Sequence, residues 1–198
     1  MTKGRLEAFS DGVIAIVITI MVLELRPPHA STVAALRPLL PIFLSYGLSF
    51  VFIGIYWSNH HHLLQAAQQV DGRVLWANLH LLFWLSLVPF VTAWIGETGA
   101  DALPVAGYGI VMLLAAVAYF ILTHALLALH PQDSRLARAL GADVKGRISV
   151  VVYAAGIAVA FAAPWAALAC YVAVAVTWLI PDRRIERTID SAPKVGGR

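Results

Sequence analysis

Polar side chains recur inside the apolar stretches of this sequence. Ser10 and Asp11 lie near the start of the first stretch, Asn59 and His60–His62 lie near the end of the second, and Asn78 follows the start of the third. Carboxylates, amides and imidazoles can exchange hydrogen bonds, relay protons or bind ions. Because such groups are costly in apolar surroundings, they are the first candidates for a functional site.

The composition indicates a membrane protein. Of the 198 residues, 60% are hydrophobic and 13% are charged, and the mean hydropathy is +0.79. A membrane helix needs about 20 apolar residues. Apolar segments between Pro, Gly and charged residues predict six transmembrane helices, near residues 8–25, 39–63, 74–95, 104–129, 147–163 and 165–180. We therefore predict an all-α integral membrane protein with a six-helix domain at 1–181, a basic tail at 182–198 and no separate catalytic domain.

The basic residues predict the orientation of these helices. Of the 14 Lys and Arg residues, only Arg26 and Arg37 lie on the side opposite the termini. Since Lys and Arg concentrate in cytoplasmic loops, both termini are predicted to be cytoplasmic, in a multi-pass protein of the cell membrane. The scattered basic residues do not form a groove for nucleic acid. In this orientation the polar residues of the first three segments share one depth, near the cytoplasmic face.

This shared depth favours a hydrogen-bond network over a metal site. We expect Ser10 and Asp11 to pair with Asn59, Asn78 and one or two of the histidines. Consecutive helical residues point about 100° apart, so adjacent histidines cannot all face one ion. No metal or haem site is therefore predicted. The alternative is that these polar groups are interfacial and are hydrated by water and lipid headgroups.

The first segment also carries a stripe of residues on one helical face. Ile16, Thr19, Ile20 and Leu23 follow the i, i+3, i+4, i+7 pattern. On periodicity alone, such a stripe faces lipid or packs against another helix.

Short motifs in the first half of the chain combine into a specific pattern. The first segment contains Arg5-x-x-x-Phe9-Ser10-Asp11-Gly12, Ala15-Ile16-x-Ile18-Thr19 and Val22-Leu23-Glu24. Later motifs are Trp57-x-Asn59-His60-His61, Asp71 to Leu75, Asn78-Leu79 and Pro89-Phe90. Together they resemble the bacterial transmembrane protein 175 family, potassium channels related to the lysosomal channel. His62 and Leu64 depart from the family pattern, in which a basic and an aromatic residue are common, and segments four to six match only in number and hydrophobicity.

The resemblance implies a homotetramer of six-helix protomers in which the first helices surround a central pore. It implies that Ile16, Ile20 and Leu23 form hydrophobic rings at the constriction, with Thr19 as a polar ring among them. It assigns the positioning of this pore helix to a network of Arg5, Phe9, Ser10, Asp11, Trp57, Asn59, His60, His61 and Asn78. The permeant species would be potassium and other monovalent cations, and no cofactor is implied.

The physical properties of such a pore follow from its residues. Isoleucine and leucine cannot replace the hydration shell of an ion, so the constriction should gate by wetting and dewetting, with modest selectivity for potassium over sodium. One helix cannot enclose a pore, so a closed ring of protomers is required, most simply fourfold. Glu24 either forms an acidic ring at the outer mouth, which would concentrate cations, or pairs with Arg26 at the interface.

Two other functions stay open from the sequence. A proton-coupled secondary transporter would use Asp11 and the His60–His62 cluster as a proton relay, although no inverted repeat is evident. A membrane enzyme or cytochrome would use the histidines as ligands. We predict a passive, potassium-permeable cation channel that is not an enzyme and whose partners are its own copies, membrane lipids and monovalent cations.

Overall fold

The computed structural model describes residues 2–130 and 144–179, and all its regular elements in these ranges are helices. The predicted basic tail at 182–198 lies outside the described residues. The elements are α1 (Lys3–Leu23), a 3₁₀ helix (Val33–Leu39), α2 (Leu40–Ala66), α3 (Gly72–Ser86), α4 (Val88–Thr98), α5 (Ala102–Ala128), α6 (Val144–Ala160) and α7 (Pro164–Leu179).

The predicted all-α fold with six helical segments is confirmed over this range. Four segments are long and apolar enough to cross a membrane, namely Lys3–Leu23, Val33–Ala66, Gly72–Thr98 and Ala102–Ala128. The last two segments, α6 and α7, have 17 and 16 residues, close to the lower limit for a crossing. Pro164 is the first residue of α7, a position that proline favours because its missing N–H has no helical partner.

The third segment differs from the prediction of one continuous helix over 74–95. It is divided into α3 and α4 at Leu87. Pro89 is the second residue of α4 and cannot donate a hydrogen bond to the preceding turn, and its ring crowds the carbonyl four residues earlier. The interruption therefore has a local cause. Asp71 caps the start of α3, where its Oδ1 accepts a hydrogen bond from the Val74 N–H at 2.9 Å.

The core is centred on α5, which packs against α3, α4, α6 and α7. Tyr171 of α7 fills the space beside Gly109 of α5 and Gly156 of α6, where a Cβ atom on either glycine would collide with its ring. The two glycines therefore permit the close packing of three helices. In contrast, α1 lies at the edge of the bundle, where it contacts α2, α3 and α4.

Candidate functional site

The two faces of α1 have different environments. Leu6, Ser10, Ile14, Val17 and Met21 are buried against the bundle. These residues recur every three or four positions, which is the pattern of one packed helical face. Most residues of the opposite face are exposed among the residues that the structure describes, so this side of the helix is only sparsely packed there.

The predicted stripe lies on the exposed face of α1. Ile16 is 57% exposed, Ile20 is 43% exposed and Leu23 is 75% exposed. Thr19 is also exposed, and its hydroxyl donates to the carbonyl oxygen of Ile16 at 2.9 Å. This bond satisfies the hydroxyl hydrogen within the helix, while the oxygen keeps its capacity to accept a hydrogen bond.

A groove separates the stripe from α4. It has a volume of about 710 Å³, and its lining includes Ile16, Ile20 and Glu24 on α1 and Phe90 and Glu97 on α4. Glu24 directly follows α1 as its C-cap, and the carboxylates of Glu24 and Glu97 are both exposed. Glu24 forms no ion pair with Arg26 in the parts of the chain that the structure describes. The part of the groove that Glu24 and Glu97 line is therefore acidic.

Three of the predicted network residues form one buried hydrogen-bond chain. Asn78 of α3 donates from Nδ2 to Ser10 Oγ of α1 at 2.9 Å, and His60 Nε2 of α2 lies 2.7 Å from Asn78 Oδ1. Because an amide oxygen only accepts, Nε2 of His60 must carry the proton. The hydroxyl of Ser10 donates in turn to the carbonyl oxygen of Leu6 at 2.9 Å. This buried network of Ser10, His60 and Asn78 joins three helices.

A second link between α1 and α2 lies on the exposed side. The indole N–H of Trp57 donates to Asp11 Oδ1 at 2.9 Å. The ring of His61 stacks on Trp57, with 6.1 Å between ring centroids and 28° between planes. Asp11, Trp57 and His61 are all exposed, so this link is separate from the buried network.

The other predicted network residues do not join these contacts. Asn59 Nδ2 donates to the carbonyl oxygen of Ile55 in its own helix at 2.9 Å. Arg5 and Phe9 are exposed, and among residues 2–130 and 144–179 no hydrogen bond links either to the network. His62 is also exposed. In the same ranges no three His, Cys, Asp or Glu side chains lie close enough to hold a metal ion.

Lys3 makes contacts that were not predicted from the sequence. Its Nζ donates to the carbonyl oxygens of Ala67 at 3.0 Å and Gln65 at 3.3 Å, and lies 3.7 Å from Glu7 Oε1. These carbonyls end α2, where the helix dipole favours a cation. A lysine at the start of a membrane helix is also expected from the positive-inside rule alone, so its position did not indicate this partner.

Comparisons with known proteins agree on one family. The family model described as endosomal/lysosomal potassium channel TMEM175 matches residues 5–89. A potassium channel of Chryseobacterium sp. (strain P1-3) is 53% identical over 189 residues, which cover 96% of this chain and 98% of that protein. A potassium channel of Streptomyces collinus is 37% identical over 125 residues, covering 59% of this chain and 61% of that protein.

A solved structure has the same fold. It is the crystal structure of a lysosomal potassium-selective channel TMEM175 homolog from Chamaesiphon minutus. The TM-score is 0.77 at 28% sequence identity, and the match covers 92% of this chain and 97% of that chain. The similarity therefore includes the later helices, which the sequence motifs did not reach.

Proposed function

Because the chain belongs to the TMEM175 family, we propose that it is a potassium channel whose conduction path is lined by α1 of each protomer. Relatives named potassium channels match both over nearly the whole chain and over part of it. These similarities identify a multi-pass membrane channel rather than an enzyme. The lining by α1, the assembly and the gate are our proposals.

One observation carries the assignment of the lining. The stripe of Ile16, Thr19, Ile20 and Leu23 is exposed, while the other face of α1 is held by packing and by the buried network. A helix with one fixed and one unoccupied face suits the wall of a pore, since its rotation is set by the protomer. If the stripe only faced lipid, the rotation of α1 would not need to be held by the hydrogen bond from Asn78 to Ser10.

We propose a homotetramer, because one α1 per protomer cannot enclose a path. A closed ring of identical subunits is the usual solution, and four copies is the number that the family resemblance implies. The groove between α1 and α4 offers an apolar surface beside the stripe, where a neighbouring protomer could pack. The pore is incomplete without such neighbours.

The proposed constriction is hydrophobic. From Ile16 to Leu23 the helix rises about 10 Å, at 1.5 Å per residue. Rings of Ile16, Ile20 and Leu23 would hold water poorly, so the path should close by dewetting and open when it widens. Thr19 would supply the only oxygen ring within the stripe. Selectivity for potassium over sodium should therefore be modest, with no cofactor required and other monovalent cations also permeant.

Glu24 is proposed to form an acidic ring at the outer mouth. It is the C-cap of α1, is exposed and directly follows Leu23, the last residue of the stripe. Glu97 of α4 lines the same groove, which adds a second carboxylate per protomer near this end. Such carboxylates would concentrate cations before they enter the constriction.

The test is cation flux from liposomes that contain the purified protein, with equal pH on both sides. We expect passive potassium flux that exceeds sodium flux. Ile16→Asn and Ile20→Asn should hydrate the constriction and raise sodium flux toward potassium flux. Ile110→Asn is the matched control, because Ile110 is 44% exposed on α5, away from the stripe.

Two outcomes would contradict this proposal. Unchanged flux ratios in both stripe variants would exclude α1 as the constriction. Flux that requires a proton gradient would instead favour the transporter that uses Asp11 and the His60–His62 cluster.

A further inference from the structure

A second, separate cavity lies between α2, α5, α6 and α7. It has a volume of about 430 Å³ and an almost wholly apolar lining, which includes Phe52, Tyr56, Tyr153 and Trp178. This volume falls within the range of about 300–1,000 Å³ that is typical of ligand sites. No described residue of α1 lines the cavity, nor does His60 or Asn78 of the buried network.

Several polar groups of the lining are hydrogen-bonded within the protein. The indole N–H of Trp178 donates to Ser149 Oγ at 2.8 Å, and Ser149 in turn donates to the carbonyl oxygen of Lys145 at 2.8 Å. The amide nitrogen of Asn59 donates to Ile55 within α2. These polar groups of the lining already have partners in the protein. An apolar cavity of this kind is poorly suited to water and well suited to hydrocarbon.

One end of the cavity is basic. Arg147 contributes to the lining from the first turns of α6, and its side chain is exposed. Among residues 2–130 and 144–179, no hydrogen bond or ion pair engages its guanidinium group and no carboxylate lines the cavity. In the predicted orientation α6 begins at the cytoplasmic face. In that orientation Arg147 would lie where the headgroups of the inner leaflet meet the hydrocarbon.

We propose that this cavity binds one acyl chain of an anionic lipid from the inner leaflet, with the headgroup on Arg147. The surrounding bilayer supplies the hydrocarbon chain, and the guanidinium selects a carboxylate or phosphate headgroup over a zwitterionic one. The occupied cavity would join α2 and α5 to α6 and α7. This inference does not depend on the identity of the permeant ion or on the assignment of the pore.

The test uses fluorescence quenching in an uncharged detergent. Trp178 lines the cavity, and the difference between the unmodified chain and Trp178→Phe isolates its emission. Three probes with the same brominated tail are compared: a fatty acid, a lysophosphatidic acid and a lysophosphatidylcholine. We expect saturable quenching of Trp178 by all three probes, with a half-saturating concentration about fivefold lower for one or both anionic probes than for the zwitterionic probe. The two anionic probes distinguish a carboxylate from a phosphate headgroup.

Matched variants test the apolar cavity and the basic residue Arg147 separately. Val150→Phe should fill the cavity and abolish saturable quenching, whereas Val151→Phe should not, because Val151 is 67% exposed and lies outside the lining. Arg147→Gln should raise the half-saturating concentration by about fivefold, the effect expected of one basic residue near a membrane surface. Arg73→Gln, an exposed arginine at the start of α3, should have no effect.

Several results would contradict the proposed lipid site. Linear quenching by all three probes, or saturable quenching that persists in Val150→Phe, would overturn the site. Equal half-saturating concentrations for anionic and zwitterionic probes, or an unchanged value in Arg147→Gln, would overturn the anionic headgroup. If Val150→Phe does not elute as a folded protein in size-exclusion chromatography, Ala116→Leu fills the same cavity from α5 and is judged by the same criteria.

Discussion

At the scale of single residues, the polar groups of the membrane segments differ in how much they contribute to the stability of the fold. Asn78 is fully buried and bonds to both Ser10 and His60. Asp11 is exposed, and its partner Trp57 is exposed too. A buried group that loses its partner carries an unrecovered desolvation cost, whereas an exposed group can turn to water or headgroups. The buried network should therefore dominate the stability of α1.

Asn78→Leu tests this difference. It should leave Ser10 and His60 without their partner and lower stability by about 1–3 kcal/mol. Asn59→Leu is the matched control, because Asn59 is half-buried and its side-chain amide nitrogen donates within its own helix. Thermal unfolding in detergent provides the measurement. Asp11→Ala should also cost less than Asn78→Leu, and a reversed order would contradict the separation of the two links.

Some of these residue contacts could be predicted from the sequence, and others could not. The depth of Ser10, His60 and Asn78 follows from the lengths of the apolar segments and the positive-inside rule. Which of three consecutive histidines faces inward depends on the rotation of α2, which is set by packing. The same rotation turns the amide nitrogen of Asn59 toward its own helix. The depth of a residue in the membrane can therefore be predicted from the sequence. The direction in which its side chain points depends on packing against the neighbouring helices.

At the scale of helices, the start of α1 is fixed to the end of α2. Lys3 donates to two carbonyl oxygens that end α2, while the nearby Arg5 is exposed. A cation at this position also interacts favourably with the dipole of α2. Because α1 lies at the edge of the bundle, such end contacts limit its movement. The proposed pore thus depends on the end of α2 as well as on the buried network.

Lys3→Met should loosen this junction. We expect faster hydrogen exchange at the first turns of α1 and the last turn of α2, corresponding to a loss of about 0.3–1 kcal/mol. Arg5→Met removes the same charge two residues later and should leave exchange unchanged. Equal acceleration in both variants would instead indicate a general effect of positive charge at the membrane surface.

The division of the third segment shows a further limit of sequence reasoning. Its apolar length predicted one span, and the span is present as Gly72–Thr98. The interruption at Leu87 arises because Pro89 can either kink a helix or begin a new one, and hydropathy does not distinguish these outcomes. The number of membrane segments can thus be predicted from hydropathy more securely than whether each segment is one continuous helix.

At the scale of the whole molecule, one face of α1 is exposed among the described residues, and the proposed tetramer would bring four such faces together. Leu23 is 75% exposed at the outer end of the stripe. Around a narrow lumen, the side chains at this position would approach those of neighbouring protomers. A lipid-facing stripe would instead keep them apart.

Cysteine cross-linking distinguishes these arrangements. With the single native cysteine removed as Cys170→Ser, Leu23→Cys should form disulfide-linked dimers on mild oxidation in membranes, visible on a non-reducing gel. Val151→Cys is the control, since Val151 is 67% exposed on α6, away from α1. Each protomer contributes one cysteine, so a disulfide joins at most two subunits, and larger species should appear only with a longer bifunctional reagent. Equal dimer yields at both positions would indicate random collision and would contradict a pore lined by α1.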